Sequence, residues 1–249
     1  MWIKEFTDMR IRFFVILFIF SAALILFFGM KDYITQTILN ISLDQGTFPL
    51  MSEEQSRLFM TNIKRFDFYA VSQWYGKNFG QFIPFIAIIL AFPVFSREVE
   101  KKTIYFLITR KKRSSIFFIK FFCGAFFNAL IIFLMVTIPY LLSLFTDYPM
   151  RTDIFLNYLL AQVSGGSFWY SITILFSILF NDQIKTALAS FGVFIAVSVL
   201  PLLEVMRFLN IYSYILNPLL HTRFYGLVLL TVSAMLCLGG NYIFKKKDY

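Results

Sequence analysis

The 249 residues are 59% hydrophobic and only 15% charged, include 34 phenylalanines, and carry a net charge of +9. Soluble domains are about half apolar and a quarter charged, so the composition excludes an ordinary soluble domain and predicts an all-α integral membrane protein. Cys123 and Cys237 lie in apolar stretches and His221 is the single histidine, which argues against a disulfide framework or a histidine-based metal site.

The N-terminal segment joins a charged, amphipathic stretch to a first apolar run. At helical spacing, its apolar and charged side chains fall on opposite faces. These are Trp2, Phe6, Met9 and Phe13 on one face, and Lys4, Glu5, Asp8 and Arg12 on the other. The pattern favours an interfacial elbow helix, with a simple extension of the first span as the alternative. The run at 13–30 is longer than a signal-peptide core and lacks a cleavage site, which predicts an uncleaved span.

Charge-poor apolar runs predict six transmembrane helices in one domain, 1–249, because about 20 apolar residues cross the hydrocarbon core. The runs lie at residues 13–30, 79–95, 116–145, 154–180, 186–203 and 224–244. In the outer segment 31–78, a capping pattern at Ser52 and Gln55 predicts a short helix. The apolar stretch 208–220 is too short to span and contains Asn217-Pro218, which predicts a re-entrant or interfacial hairpin between the fifth and sixth spans.

The distribution of lysine and arginine predicts the orientation. If both termini share one side, that side carries 15 of the 23 basic residues and 6 of the 14 acidic ones, so it holds the whole net charge of +9. The sequence therefore predicts an N-in, C-in topology. Membrane topology and anionic lipid account for the positive charge without a nucleic-acid partner.

The loop between the second and third spans, 96–115, is the most distinctive segment. Its first half places acidic residues before basic ones, as a helix favours, and a basic run closes it at the membrane surface. Two interpretations are open. The loop either fixes topology by its positive charge, or contains a docking helix that receives force from a soluble partner.

This loop resembles the first cytoplasmic loop of the permease subunits of type-2 ATP-binding-cassette (ABC-2) transporters, in which R-E-x-E-x-G-T-x-x-x-L follows the second span. The matching residues are Arg97, Glu98, Glu100, Thr103 and Leu107, with Arg113 and Lys120 at the later basic positions. Lys102 stands where the family usually has glycine, and Lys111 where proline is common. The layout of the whole chain is also similar to that family.

The resemblance implies a permease subunit of an ATP-driven exporter in a bacterial cytoplasmic membrane. Two such subunits, identical or different, would form the pathway, and cytoplasmic ABC ATPase subunits would dock on the cytoplasmic coupling helix in loop 96–115. The sequence contains no G-x-x-x-x-G-K-[ST] phosphate loop, so ATP and Mg²⁺ are expected on a separate ATPase. This chain itself is not expected to be an enzyme or to hold a cofactor or metal.

Aromatic and polar side chains in the third and fourth spans are candidates for lining the pathway. They are Phe126, Phe127, Asn128, Gln162, Trp169 and Tyr170. Interhelical hydrogen bonds are the alternative for Asn128 and Gln162, and helix packing is expected of Ser164-Gly165-Gly166-Ser167.

The long outer segment and the aromatic interior favour an amphipathic substrate, such as an antimicrobial or other peptide, or a drug. Two alternatives remain open from the sequence. One is a lipid or glycan exporter of the same family, and the other is a non-transporting membrane protein that acts as an immunity or sensor scaffold.

Overall fold

The computed structural model describes residues 2–44, 62–202 and 210–248, and every regular element in those ranges is a helix. The helix predicted to begin at Ser52 lies outside the described residues, as does Phe208 at the start of the predicted hairpin. The rest of that hairpin, after Asn210, consists of a short helix and a 3-10 turn separated at Asn217.

The helices follow the predicted spans closely. In chain order they are α1 (Trp2–Gly29), α2 (Lys31–Asp44), α3 (Phe66–Tyr69), α4 (Phe79–Ala91), α5 (Pro93–Glu100), α6 (Ile104–Arg110), α7 (Arg113–Ser143), α8 (Thr152–Leu179), α9 (Gln183–Val199), α10 (Ile211–Leu216) and α11 (Arg223–Lys246). A π-helix, Ala70–Asn78, joins α3 to α4, and 3-10 turns at Leu200–Leu202 and Pro218–Leu220 follow α9 and α10.

Within the described ranges, five helical segments are long and apolar enough to cross a membrane. They are Trp2–Gly29, Phe66–Glu100, Arg113–Ser143, Thr152–Leu179 and Phe224–Lys246. The remaining predicted span coincides with α9, which is apolar but has 17 residues, a length of about 25 Å at the usual rise. Because the hydrocarbon core is about 30 Å thick, the count of six spans stays a prediction.

The predicted elbow is not a separate helix, because its residues and the first predicted span form one continuous helix, as the alternative has it. The first helix, α1, runs unbroken from Trp2 to Gly29. Its charged face packs against the protein, since Glu5 is only 4% exposed and its carboxylate pairs with Lys120 of α7. Because charged residues of α1 are paired within the protein, they do not require this part of the helix to lie along the membrane surface.

The central helix of the bundle is α8, which contacts α4, α7, α9 and α11. Small residues allow this close packing. A Cβ on Gly165 would lie 2.4 Å from Cγ1 of Ile215 in α10, and one on Gly166 would lie 2.4 Å from Cδ1 of Ile132 in α7. The helix-packing interpretation of this small-residue motif is confirmed.

The bundle has two chemically different ends. At one end, which we call the basic end, Lys4 near the start of α1 pairs with Glu98, and Lys247 after α11 donates to the end of α8. At the opposite end, the Arg65 guanidinium lies 5.1 Å from the ring centre of Tyr148. The residues assigned to the cytoplasmic side therefore do share one end, while the side of the membrane that this end faces stays a prediction.

Candidate functional site

The predicted coupling loop folds as two short helices joined by a tight reversal. The first, α5, ends at Glu100, and α6 begins at Ile104. Between them, Lys102 has a φ of 58°, in the left-handed region that glycine adopts at little steric cost. The family that this loop resembles usually has glycine at this position. A left-handed backbone there explains that preference.

Glu98 lies at the centre of a buried ion cluster. Its Oε1 atom accepts hydrogen bonds from Lys120 Nζ and Lys4 Nζ, each at 3.1 Å, and the Thr103 hydroxyl donates to its Oε2 atom. Lys120 Nζ also lies 2.8 Å from Oε1 of Glu5. The cluster thus joins α1, α5 and α7 at the basic end.

Burial makes this pairing strong. Among the residues that the structure describes, the buried charged side chains are Glu5, Glu98 and Lys120, at 4%, 4% and 1% exposure. Removing one partner from a buried ion pair costs about 3–5 kcal/mol, because the other charge is left without compensation. We conclude that the three helices are held in one arrangement at this point.

Two further side chains of α5 extend these contacts. Arg97 Nη2 lies 2.9 Å from Oδ2 of Asp8 in α1, and both side chains are about one-third exposed, so this pair contributes at most about 1 kcal/mol. Glu100 accepts a 2.8 Å hydrogen bond from Nε2 of Gln183 at the start of α9. The loop is therefore attached to α9 as well.

The last residues of the chain connect three helices at the same end. The Arg113 guanidinium donates to the carbonyl oxygens of Lys245 and Lys247, at 2.8 and 2.7 Å, at the end of α11. Lys247 Nζ in turn donates to the carbonyls of Ile178 and Leu179, at 2.6 and 3.1 Å, and burial lowers the pKa of its ammonium group. Cations at these positions satisfy carbonyls that a helix end leaves open and oppose its negative dipole.

Apart from Glu100, which the sequence analysis selected, the exposed surface of the loop consists of other residues. Tyr105 and Phe106 of α6 are 49% and 70% exposed, whereas Leu107 is partly buried against the core. Exposed basic residues flank them, namely Lys101, Lys102, Arg110, Lys111 and Lys112. Two adjacent aromatic residues between basic clusters were the available signal in the sequence.

The aromatic residues predicted to line a pathway differ in their surroundings. Phe126 is 52% exposed, whereas Phe127 is 3% exposed and packs against the rings of Phe6 and Phe13. Trp169 and Tyr170 are buried. These aromatic side chains therefore belong partly to the core and partly to the surface.

The two predicted polar residues are fully enclosed. Gln162 Nε2 donates to the backbone carbonyl of Tyr75 at 3.2 Å, which confirms an interhelical hydrogen bond at this position. Asn128 is 1% exposed and lies beside α8, since a Cβ on Gly166 would be 3.3 Å from its Nδ2 atom.

The six candidates do not surround one cavity. Asn128 and Tyr170 line a groove of about 360 Å³ between α7, α8 and α11. Phe126 lines a separate apolar groove of about 550 Å³ between α7 and α8, and the other three candidates line neither. A pathway formed by all six residues stays a prediction.

The long apolar helices and the attached loop define a multi-pass membrane protein, and comparison with known proteins assigns its family. The family model described as ABC-2 family transporter protein matches residues 2–218. The chain therefore belongs to the ABC-2 family transporter proteins, which are membrane permeases that associate with ABC ATPase components. Neither a curated protein nor a solved structure matches the chain.

Proposed function

We propose that this chain is the transmembrane permease subunit of an ATP-driven exporter in a bacterial cytoplasmic membrane. The observation that supports this most is the buried cluster in which Glu98 of the loop region pairs with Lys120 and Lys4. A loop that only fixed topology would need exposed positive charge, which this loop also has, but it would not need buried acid–base pairs. Buried acid–base pairs between the loop and two long helices suit transmission of force.

In this proposal a separate ABC ATPase, which binds ATP and Mg²⁺, docks on the exposed side of α6. Tyr105 and Phe106 supply apolar contact there, and basic residues surround them. Movement of α6 reaches α1 and α7 through Glu98, and reaches α9 through the hydrogen bond from Gln183 to Glu100. A second permease subunit, identical or different, completes the pathway.

The proposed substrate is an amphipathic molecule, such as an antimicrobial or other peptide, or a drug. Two grooves on α7 and α8 support an apolar ligand, because apolar side chains make up most of their walls. Binding sites for small molecules are typically apolar with a few placed polar groups.

The test is to compare Glu98→Gln with Lys246→Gln in a complex reconstituted with an ABC ATPase that co-purifies with the wild-type chain. Glu98→Gln keeps the size of the side chain and removes its charge, so the complex should form while its ATPase rate falls severalfold. Lys246→Gln should leave that rate within about 20%, since removing an exposed charge has little effect. An unchanged rate in Glu98→Gln would contradict a coupling role for this residue.

A second experiment addresses the docking surface. Substituting Tyr105→Ser and Phe106→Ser together removes exposed aromatic area without disturbing the buried cluster. The ATPase should then no longer co-purify with the permease, whereas Tyr148→Ser at the opposite end should retain it. Co-purification that survives the double substitution would place the ATPase elsewhere.

The orientation can be tested by cysteine labelling in a variant in which alanine replaces Cys123 and Cys237. A membrane-impermeant maleimide should modify a cysteine placed at Tyr148 in intact cells, and one placed at Lys111 only after permeabilisation. Both positions are exposed, so the difference reports the side of the membrane. The reverse labelling pattern would overturn the N-in, C-in topology.

A further inference from the structure

The groove between α7, α8 and α11 combines an apolar wall with an enclosed polar floor. Its apolar wall includes Phe118, Phe121, Phe122, Cys237 and Leu238. Phe122 and Leu238 are 54% and 63% exposed. Since both lie within long apolar helices, the rim of the groove faces the lipid.

The floor of the groove contains an amide group with an open hydrogen-bonding position. Asn128 is 1% exposed, and its Oδ1 atom has no hydrogen-bond partner among the described residues. Ser233, which also lines the groove, donates to the carbonyl of Leu229 at 2.7 Å and so is already satisfied. A buried polar atom without a partner is costly, and lipid offers no water to replace one.

The position of Asn128 limits what can reach it. Asn128 lies midway along the 31 residues of α7, about 22 Å from the start of the helix at Arg113. A charged ligand group at this depth would lose its hydration at high cost. A neutral hydroxyl group avoids that cost, and it can both donate and accept hydrogen bonds.

We infer that this groove binds a membrane-dissolved amphiphile consisting of an aliphatic chain that carries a hydroxyl group. The hydroxyl donates to Asn128 Oδ1, and the chain lies along Phe118, Phe121 and Phe122. The volume of about 360 Å³ falls in the usual range for small-molecule sites. The site requires no ATPase, so its test is independent of the proposed export function.

The absence of a side chain at Gly166 helps to form the site. A Cβ there would lie 3.3 Å from Nδ2 of Asn128, so the amide occupies the space that glycine leaves on α8. Asn128 is therefore held between two helices, and a ligand need not order it. A site that is already ordered binds more tightly than one that must be ordered on binding.

The experiment uses the purified full-length chain in phosphatidylglycerol and phosphatidylcholine vesicles. The probe is a long-chain alcohol bearing a photoactivatable diazirine, and its methyl ether is the matched control without a donor. After illumination, mass spectrometry should find label on peptides that contain Phe118–Phe122 or Ala234–Leu238. The alcohol should label them about fivefold more than the ether, corresponding to about 1 kcal/mol, and unlabelled alcohol should compete.

Variants distinguish a built site from general lipid contact. Asn128→Leu should equalise labelling by the alcohol and the ether. Ala234→Phe should abolish labelling by filling the groove away from Asn128, and Met235→Leu outside the groove should change nothing. Equal labelling of the wild-type chain by both probes would overturn the assignment, as would a preference for the alcohol that survives Asn128→Leu.

Discussion

Buried charged groups at the basic end of the bundle are paired, whereas several buried polar atoms in its middle have no partner in the part of the chain that the structure describes. At the basic end, Glu5 and Glu98 both pair with Lys120. Glu5 Oε1 accepts no hydrogen bond there, but it lies 2.8 Å from the Lys120 ammonium, so its charge is compensated. In the middle, three side-chain atoms have neither a hydrogen-bond partner nor an ion-pair partner among the described residues. They are Oδ1 of Asn128, Oε1 of Gln162 and Nε1 of Trp169.

The contrast has a physical meaning. A buried cluster whose charges are all paired is rigid, because any displacement breaks strong interactions in a medium of low dielectric constant. Polar atoms that lack partners gain free energy from whatever supplies them, whether a ligand or a rearranged helix. For the proposed function, this contrast favours transmission of displacement at the basic end and changes of contact in the middle of the bundle.

The largest effect should come from Lys120→Met, which breaks the paired network. The substitution leaves the carboxylates of Glu5 and Glu98 buried, with the half-exposed Lys4 paired to Glu98, so we expect a loss of about 3–5 kcal/mol in unfolding free energy. The measurement is denaturant unfolding in detergent micelles, followed by tryptophan fluorescence.

The control for that experiment is Lys112→Met. Lys112 is exposed, and removing an exposed lysine should change the unfolding free energy by less than about 1 kcal/mol. A similar effect of both substitutions would show that the basic end is not a tightly paired region, and the contrast with the middle would be lost.

In the middle of the bundle, Gly166→Ala should have the next largest effect. A Cβ there would meet Ile132 at 2.4 Å and Asn128 at 3.3 Å, and overpacking of this kind costs about 1–3 kcal/mol. Gly192→Ala in α9 is the matched control, because nothing lies within 4 Å of its Cβ position and alanine favours helix. A neutral Gly166→Ala would indicate loose packing around Asn128.

The sequence predicted the long helices well because each depends on local composition. The predicted apolar runs coincide with α1, α4, α7, α8, α9 and α11. The charged residues that follow the second run indicated Glu98 as a candidate. Long helices with strong apolar character are the features that sequence patterns predict most reliably.

The partners of Glu98 could not be predicted in the same way. Lys4 is 94 positions away along the chain, so the pairing depends on which helices are neighbours in the bundle. The same limitation caused the error at α1, where charges that suggested a water-facing surface are neutralised by Lys120 and Arg97. An isolated lysine inside the third apolar run was the one local signal of a buried partner.

The C-terminal contacts offer a smaller and more local test of rigidity at the basic end. Lys247→Gln removes the cation that donates to the carbonyls of Ile178 and Leu179, and a charge at a helix C-terminus contributes about 0.3–1 kcal/mol. Lys246→Gln is the neighbouring control, since its ammonium lies 4.5 Å from the ring centre of Tyr242 on the same helix. Equal effects would mean that the end of α8 does not depend on Lys247.

The last effect has the opposite sign, since Lys102→Gly in the reversal between α5 and α6 should stabilise the protein. Lysine at a φ of 58° is strained by about 1–2 kcal/mol, and glycine removes that strain but loses about 0.5–1 kcal/mol through the greater freedom of the unfolded chain. We therefore expect a net gain between zero and about 1.5 kcal/mol in unfolding free energy, measured as for Lys120→Met. Lys101→Gly is the control, because Lys101 has a φ of −82° and so gives glycine only the entropic loss. If Lys102→Gly were more destabilising than Lys101→Gly, the side chain of Lys102 would have to stabilise the loop. The left-handed backbone would then no longer explain why the family usually has glycine at this position.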